Sequence, residues 1–290
     1  MVERLQSFID NFRVKKGEPD SHSTIHPVRG RYCITEPAEI KNFWVHYCNA
    51  AIKHESLGVT EKPDVSGVSP LHGDVDLKRD LDSGMERVYT KDHVNVLVNI
   101  YQDLIRNIVP PSSFDEKMLI CVILEKKAPR VDSGVIKDGW HWHFPFFLAD
   151  VWTQDTYMRD MAIKSVTEQK LFDAMGVQTQ SVEKIIDPVS TNNWLMYGSS
   201  KAHGAEPYRI TRILDGHLQE IMFEKAFEEQ LHGLKCKPKY YIPQFLSIRG
   251  RHDATPLTDN ISVIRASLKT DSRKKRRAKT FVNKTRSMED

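Results

Sequence analysis

The 290-residue chain is predicted to fold as an α+β protein with a mainly antiparallel sheet. Three observations predict this class. Apolar residues recur at helical spacing from Val94 to Ile108. The continuous apolar run at 118–124 has the length and composition of a buried strand. An Asp215-Gly216 pair separates two strand-like segments, which is typical of a hairpin.

The elements before the first acidic motif follow from local patterns. The first is an amphipathic helix at 5–12, and a polar loop follows at 15–27. A strand at 31–34 and a second helix at 37–51 come next. A loop rich in Gly, Pro and Ser then covers 55–69. Thr35 is the predicted cap of the second helix, and Pro37 suits its first turn.

The later elements alternate between strands and helices. The predicted strands lie at 71–78, 118–124, 140–148, from 185 onward, at 208–214 with 217–221, and at 240–248. The predicted helices lie at 94–108, 153–175 and 223–231. Pro110 ends the first of these helices, and Gly176 could cap the second.

Composition excludes several classes of protein. The chain is 40% hydrophobic and 28% charged, as in an ordinary soluble globular protein, and its apolar stretches fall short of the ~20 residues of a membrane helix. The four cysteines form no CxxC pair, which argues against a zinc ribbon or a disulfide framework. His232 and Cys236 could be two zinc ligands, but no second pair completes such a site. The GxxxxGK[ST] phosphate loop of a helicase motor is missing from this chain.

Positive charge is concentrated near the C-terminus. The net charge is +3. A basic run of five residues and the nearby Lys279 supply six positive charges, and without them the chain has 36 basic residues against 39 acidic ones. The run comprises Arg273, Lys274, Lys275, Arg276 and Arg277. Such a tail could bind nucleic acid, act as a nuclear localisation signal, or be a solvated linker. Because the sequence stops in this charged region, we expect it to be a fragment of a longer protein.

Two carboxylates in a strand-like context are the first candidate site. Asp74 and Asp76 stand at i and i+2, so on a strand both side chains point to one face. Two like charges there are unfavourable unless a cation such as Mg²⁺ lies between them. The alternative is a solvent-facing strand edge, since an Asp-x-Asp pattern alone is common.

Further groups with suitable chemistry follow. Lys137, Gly139 and His141 share a strand face, where Lys and His can donate to phosphate oxygens and Gly admits a phosphate close to the backbone. His141 and His143 could instead bind a transition metal, although we expect His143 to pack inside the sheet. Asp187 ends an apolar run; next to Pro188 it could equally be a turn residue.

A short polar segment completes the set. Gly198-Ser199-Ser200-Lys201 offers backbone donors, hydroxyls and a cation. Three carboxylates can hold two divalent cations, Mg²⁺ or Mn²⁺, while Lys and His hold triphosphate oxygens. This combination predicts nucleotidyl transfer.

The order of these motifs resembles the archaeo-eukaryotic primase (AEP) superfamily, whose motifs are hhhDhD/E, sxH and hD. The local wording is most similar to primase domains of large DNA-virus primase-helicases. The matching segments are 70–78, 137–145 and 186–201, and the likeness covers roughly residues 30–250. The resemblance implies that Asp74, Asp76 and Asp187 are catalytic metal ligands. It further implies that Lys137, Gly139, His141, Ser200 and Lys201 bind the nucleotide.

The resemblance also implies an architecture and partners. The fold would be an N-terminal α/β unit and an RRM-like unit with the active site in the cleft between them. Residues 1–29 would be an N-terminal helix and loop, 30–255 the catalytic domain, and 256–290 a basic tail or linker toward a C-terminal helicase region. The partners would be a single-stranded DNA template and NTP or dNTP, without a membrane, in the host cytoplasm or alternatively the nucleus. Some relatives carry Ser at the position of Gly139, and some carry Arg at the position of Leu195. This chain would therefore lack a hydroxyl contact and an arginine contact to phosphate.

Three functions are therefore weighed. The leading hypothesis is a DNA-dependent primase/polymerase that makes short primers by two-metal nucleotidyl transfer. A metal-dependent nuclease or phosphoesterase is the second, although no HxHxDH or HD-type cluster is present. A non-catalytic single-stranded DNA-binding module of a helicase is the third.

Overall fold

A computed structural model describes residues 2–64, 66–177 and 180–250; the basic run at 273–277 lies outside this part of the chain. The strands are β1 (His22–Thr24), β2 (Gly30–Tyr32), β3 (Val59–Glu61), β4 (Val68–Arg79), β5 (Cys121–Glu125), β6 (Arg130–Asp132), β7 (Val135–Asp150), β8 (Ile186–Asp187), β9 (Trp194–Leu195) and β10 (Arg209–Leu214). The α-helices are α1 (Val2–Ile9), α2 (Pro37–Ile52), α3 (Lys91–Ile108), α4 (Arg159–Glu168), α5 (Val182–Ile185), α6 (Phe223–Ala226), α7 (Glu228–Leu231) and α8 (Ile242–Phe245).

A six-stranded antiparallel sheet forms the centre of the protein. Its order is β10-β5-β7-β4-β8, and β6 pairs with β7 as a short hairpin. The long strands β4 and β7 pair along their whole length, with a bulge between Pro70 and Leu71. Because side chains alternate between the faces of a strand, this pairing sorts residues of the two strands onto two distinct faces.

The largest hydrophobic core lies on one face of this sheet. Val75, Leu77, Trp140 and Trp142 are fully buried there, and α3 and α4 cover them. The helix α3 buries one apolar stripe and is capped by Thr90, whose side chain accepts from the backbone of the first turn. The packing on this face leaves the opposite face of β4 and β7 for polar side chains.

A four-stranded antiparallel sheet of order β2-β1-β3-β9 lies beside the first sheet. The helices α1 and α2 pack on it, and Leu5, Ile9 and Tyr47 are buried in their shared core. The hydroxyl of Tyr47 donates to the carbonyl of Tyr197, directly after β9. This core and this hydrogen bond fix the segment after β9 against α2.

The C-terminal helices α6–α8 cover a third core beside β5 and β10, where Phe146, Phe227 and Leu246 are buried. Among the described residues, no helix is both long enough and apolar enough to cross a membrane.

The structure confirms the α+β class and most of the predicted elements. The helices at 37–51 and 94–108 and the strands at 71–78 and 140–148 are present, with slightly different bounds. The Asp215-Gly216 turn is confirmed by hydrogen bonds from Asp215 N to Gln219 O and from Ile221 N to Ile213 O.

Four local predictions are wrong. The loops predicted at 15–27 and 55–69 contain β1 and β3, which are too short and polar to show a periodic pattern. Residues 240–248 contain α8 rather than a strand, since Pro243 suits a first helical turn. The cap of α2 is Glu36, not Thr35.

The long helix predicted at 153–175 is also interrupted. A π-helical segment, Trp152–Met158, precedes α4, and the chain leaves the helix after Glu168. Leu171 and Phe172 then turn into the main core, and Gly176, with a φ of +67°, caps a separate 3-10 turn, Asp173–Met175, and not the predicted long helix.

Candidate active site

Three acidic residues lie together on the face of the large sheet opposite the main core. Asp74 and Asp76 alternate along β4, which points both side chains to one face. Asp187 on β8 is the direct cross-strand partner of Asp74. The pairing of β8 with β4 therefore brings the third predicted acid beside the first two.

The environment of Asp74 is unfavourable for its negative charge. Its Oδ1 atom is buried and has no hydrogen-bond partner in the described part of the protein. Burial, reinforced by Asp76 and Asp187, raises the pKa of Asp74 to about 7. The pKa of Asp187 is also raised, first by burial and then by Asp76. The salt bridge between Lys78 Nζ and Asp76 Oδ2, at 3.0 Å, offsets only part of this charge.

These residues have the chemistry that a divalent cation requires. An unpartnered buried carboxylate oxygen among three acids is stabilised by a cation, and hard oxygen ligands suit Mg²⁺ and Mn²⁺. Over residues 2–64, 66–177 and 180–250, no three His, Cys, Asp or Glu side chains converge closely enough to hold a metal ion in this conformation. The chemistry of these donors thus fits a hard divalent cation.

The predicted phosphate-binding residues face the acids across β4 and β7. The register pairs Asp74 with His141, Asp76 with Gly139, and Lys78 with Lys137. The two motifs, which are separate in the sequence, are thus aligned residue by residue on one face of the sheet.

Two aromatic rings enclose His141. Tyr208 stacks on the imidazole with ring centroids 3.6 Å apart, and Trp194 contacts it at 4.6 Å. Burial, with further effects from Lys201 and Lys126, holds the pKa of His141 well below its ordinary value. The imidazole is therefore neutral, and a neutral imidazole still has one N–H to donate.

Position 139 requires a glycine for a structural reason, apart from any contact with phosphate. Its φ is +135°, and a Cβ atom there would lie 1.8 Å from the carbonyl oxygen of Val75. The hydroxyl of Tyr89 donates to the Gly139 carbonyl at 2.9 Å. The absence of a side chain therefore allows β7 to pack closely against β4.

The other predicted nucleotide-binding residues differ in whether their polar groups already bind other groups of the protein. The Lys137 ammonium lies 2.8 Å from Asp132 Oδ2 in a partly exposed ion pair. Ser200 is buried, and its hydroxyl donates to the Ala202 carbonyl at 2.8 Å. Lys201 is exposed, yet its charge lowers the pKa of Asp74, so it lies near the acids. Of the two lysines, Lys201 is thus the more available cation.

The competing metal sites receive no support from the described residues. His143 is buried in the sheet, as expected. Cys236 is exposed, and no third ligand joins it and His232 within the described ranges.

Sequence reasoning missed three residues at this face. The Trp194 ring centroid lies 4.6 Å from that of His72 on β4 and from that of His141 on β7, so Trp194 contacts both strands. Tyr208 covers His141, and Lys126 lies with its Nζ 4.9 Å from the centroid of the Tyr208 ring. The available signal for Lys126 was a lysine two positions after the apolar run at 118–124, following Glu125.

A pocket adjoins this face. His141, His143, Trp194, Tyr197, Ser199 and Tyr208 are among the residues that line it, and none of its lining residues is acidic. It is therefore adjacent to the carboxylates and not formed by them.

A family model described as the C962R protein N-terminal AEP domain matches residues 21–214. The chain belongs to this family. The match covers all three motifs and confirms the resemblance to the AEP superfamily. At the level of the family, AEP membership supports a primase-like nucleotidyltransferase function.

Two viral proteins are similar to this AEP chain. One, named Putative helicase 121R, from Invertebrate iridescent virus 3, is 28% identical over 272 residues, covering 85% of this chain and 28% of that protein. The other, Putative helicase 184R from Invertebrate iridescent virus 6, is 31% identical over 206 residues, covering 66% of this chain and 21% of that protein. The AEP chain thus spans about a quarter of the length of the curated relatives it matches.

Proposed function

We propose that this chain is a DNA-dependent primase/polymerase that makes short primers on single-stranded DNA by nucleotidyl transfer. The observation that carries the proposal is the pairing of Asp74 with both Asp187 and His141 on one sheet face. Carboxylates for metal ions and donors for phosphate oxygens are adjacent there, as this reaction requires. The finer fold proposed is an N-terminal α/β unit and an RRM-like unit, with this face in the cleft between them.

Asp74, Asp76 and Asp187 would hold two Mg²⁺ or Mn²⁺ ions. Bound there, the ions would lower the pKa of the attacking 3′-hydroxyl and neutralise the charge of the departing pyrophosphate. The buried Oδ1 of Asp74, which has no hydrogen-bond partner among the described residues, supports this role.

The protein side chains would orient the nucleotide. A neutral His141 donates an N–H to a phosphate oxygen, and Lys201 adds a positive charge from the rim. Lys137 can exchange Asp132 for a phosphate at small cost, since partly exposed ion pairs contribute little stability. Trp194 and Tyr208 exclude water around His141.

The template and the rest of the protein are part of the proposal. Single-stranded DNA would bind in a salt-dependent way through basic residues, with the run at 273–277 as one candidate. The helicase names of the relatives and the quarter of their length that is matched support a C-terminal helicase region in the full-length protein.

The test is primer synthesis on single-stranded DNA with labelled NTP or dNTP, in Mg²⁺ or Mn²⁺. The unaltered chain is compared with Asp74→Asn and with Asp92→Asn, a matched change of an exposed acid on α3. We expect product from the unaltered chain and Asp92→Asn but not from Asp74→Asn.

Each other outcome favours a different function. Synthesis by a folded Asp74→Asn variant would overturn the proposal. DNA degradation without added nucleotide favours a nuclease. Template binding that needs neither Asp74 nor metal, without any product, favours a DNA-binding module.

A further inference from the structure

Lys126 is placed at the candidate site by strand register. It directly follows Glu125, which ends β5 and pairs with Trp140 on β7. The next position along β7 is Gly139, which has no side chain and pairs with Asp76 on its other side. Continued by one residue, this register puts Lys126 in the row of Gly139 and Asp76, across β7 from β4.

The backbone at Lys126 is held in place. The Glu125 carboxylate accepts from Arg87 at 3.0 Å and from the hydroxyl of Thr211, and it shares the single proton of the Tyr89 hydroxyl with the Gly139 carbonyl. Arg87 also donates to the carbonyl of Lys126 at 2.6 Å. This network fixes the end of β5 and so the point from which the lysine side chain extends.

The Lys126 ammonium has an aromatic contact but no ion pair. Its Nζ lies 4.9 Å from the centroid of the Tyr208 ring. Within the described part of the chain, no carboxylate lies within 4.0 Å of it. His141 stacks on the same Tyr208 ring, with ring centroids 3.6 Å apart, so one aromatic ring contacts both the imidazole and the ammonium.

Positive charge accumulates around this half-buried lysine. Arg130 and Lys201 repel it, while Asp74 and Glu206 attract it more weakly. Together with burial, which is the largest effect, these cations lower the pKa of Lys126 to about 8. Cations crowded beside a polar site are stabilised when an anion binds among them.

We propose that Lys126 is a triphosphate-binding residue, whose ammonium leaves the Tyr208 ring to contact phosphate oxygens of the incoming nucleotide opposite the three acids. This inference rests on the proposed function, because it assigns a further contact to the same site. It supplies a charge-assisted contact that the sequence motifs do not include.

The test is calorimetric binding of dATP, dADP and dAMP, with Mg²⁺, to the 290-residue chain. Lys126→Met removes the charge and keeps the length, Lys126→Arg keeps the charge, and Lys127→Met is a control at the exposed neighbouring lysine. We expect Lys126→Met to weaken dATP binding by about tenfold or more, with a smaller loss for dADP and the smallest for dAMP. Lys126→Arg should restore most of the affinity, and Lys127→Met should change little.

The outcomes separate this inference from the proposed function. Unchanged dATP affinity in folded Lys126→Met overturns the role of Lys126 alone, as does an equal loss for all three nucleotides, which would indicate a structural effect. Absence of dATP binding by the unaltered chain would overturn both proposals. If Lys126→Met does not fold, Lys126→Gln replaces it under the same criteria.

Discussion

Asp74 and His141 are direct cross-strand partners, and Nε2 of His141 lies 3.5 Å from Oδ1 of Asp74. The pair is not an ion pair in this structure. The pKa of His141 is held well below its ordinary value by burial, so the imidazole is uncharged. The distance also exceeds that of a good hydrogen bond, which leaves Asp74 Oδ1 available to another ligand.

Asp74→Asn should greatly reduce stabilisation by divalent cations. A metal that binds only the folded protein raises the melting temperature, and the three carboxylates are the groups that gain a counter-charge. We expect Mn²⁺ to raise the melting temperature of the unaltered chain by about 2–5 °C and that of Asp74→Asn by much less. Thermal denaturation with Mn²⁺ or EDTA measures this, and Asp92→Asn should respond like the unaltered chain. An equal response in Asp74→Asn would argue against a metal at Asp74.

Tyr208→Leu should impair nucleotide incorporation more than Tyr208→Phe. The ring of Tyr208 stacks on His141, and such a contact contributes about 0.5–1.5 kcal/mol beyond burial of area. Phe retains this contact and Leu does not. Steady-state kcat and KM for the nucleotide should show a loss of up to about tenfold for Tyr208→Leu and little change for Tyr208→Phe. Tyr240→Leu, at an exposed tyrosine, is the control. Equal losses in Tyr208→Phe and Tyr208→Leu would contradict a role for stacking.

Gly139→Ala should destabilise the fold strongly. A Cβ atom would lie 1.8 Å from the Val75 carbonyl oxygen, and the φ of +135° is strained for a side-chain-bearing residue. We expect a loss of roughly 3 kcal/mol or more in the free energy of unfolding. Gly134→Ala separates the two effects, because Gly134 has a φ of +82° with nothing within 4 Å, and should cost only about 1 kcal/mol. Chemical denaturation compares the variants, and equal losses would show that the contact with β4 is unimportant.

Glu61→Gln should change how stability depends on pH. Burial raises the pKa of Glu61 from 4.5 to about 7, although Ser247 and the Ile248 backbone donate to its carboxylate. Between these pH values the folded protein retains a proton that the unfolded chain has released. The contribution of Glu61 to the free energy of unfolding therefore falls as the pH rises from about 4.5 to about 7.

The glutamine variant lacks this contribution. Its stability relative to the unaltered chain should rise across that interval, by up to about 3 kcal/mol at neutral pH. His22 and Asp20 also make the free energy of unfolding depend on pH, but their contributions are the same in both proteins and cancel when the two are compared. Melting curves at several pH values test this, with Glu224→Gln as an exposed control. Parallel pH profiles for Glu61→Gln and the unaltered chain would contradict the prediction.

Local sequence patterns predicted the elements that carry their own periodicity. The stripe from Val94 to Ile108 predicted α3, and the Asp-x-Asp spacing placed Asp74 and Asp76 on one face of β4. Strands of three residues, such as β1 and β3, have no such pattern. They exist because they pair with each other, and pairing between distant segments is not encoded in either segment alone.

The features of the candidate site also divide into those that local sequence determines and those that depend on tertiary structure. The sequence by itself determined the residue types, their order and their alternation along each strand, because side-chain direction in a strand depends only on neighbouring residues. The tertiary structure alone decided that Asp187 lies beside Asp74, that Trp194 and Tyr208 enclose His141, and that Lys126 reaches the same face. These relationships arise from the register and packing of elements far apart in the chain, and the burial that shifts the pKa values of Asp74 and His141 arises only when those elements assemble.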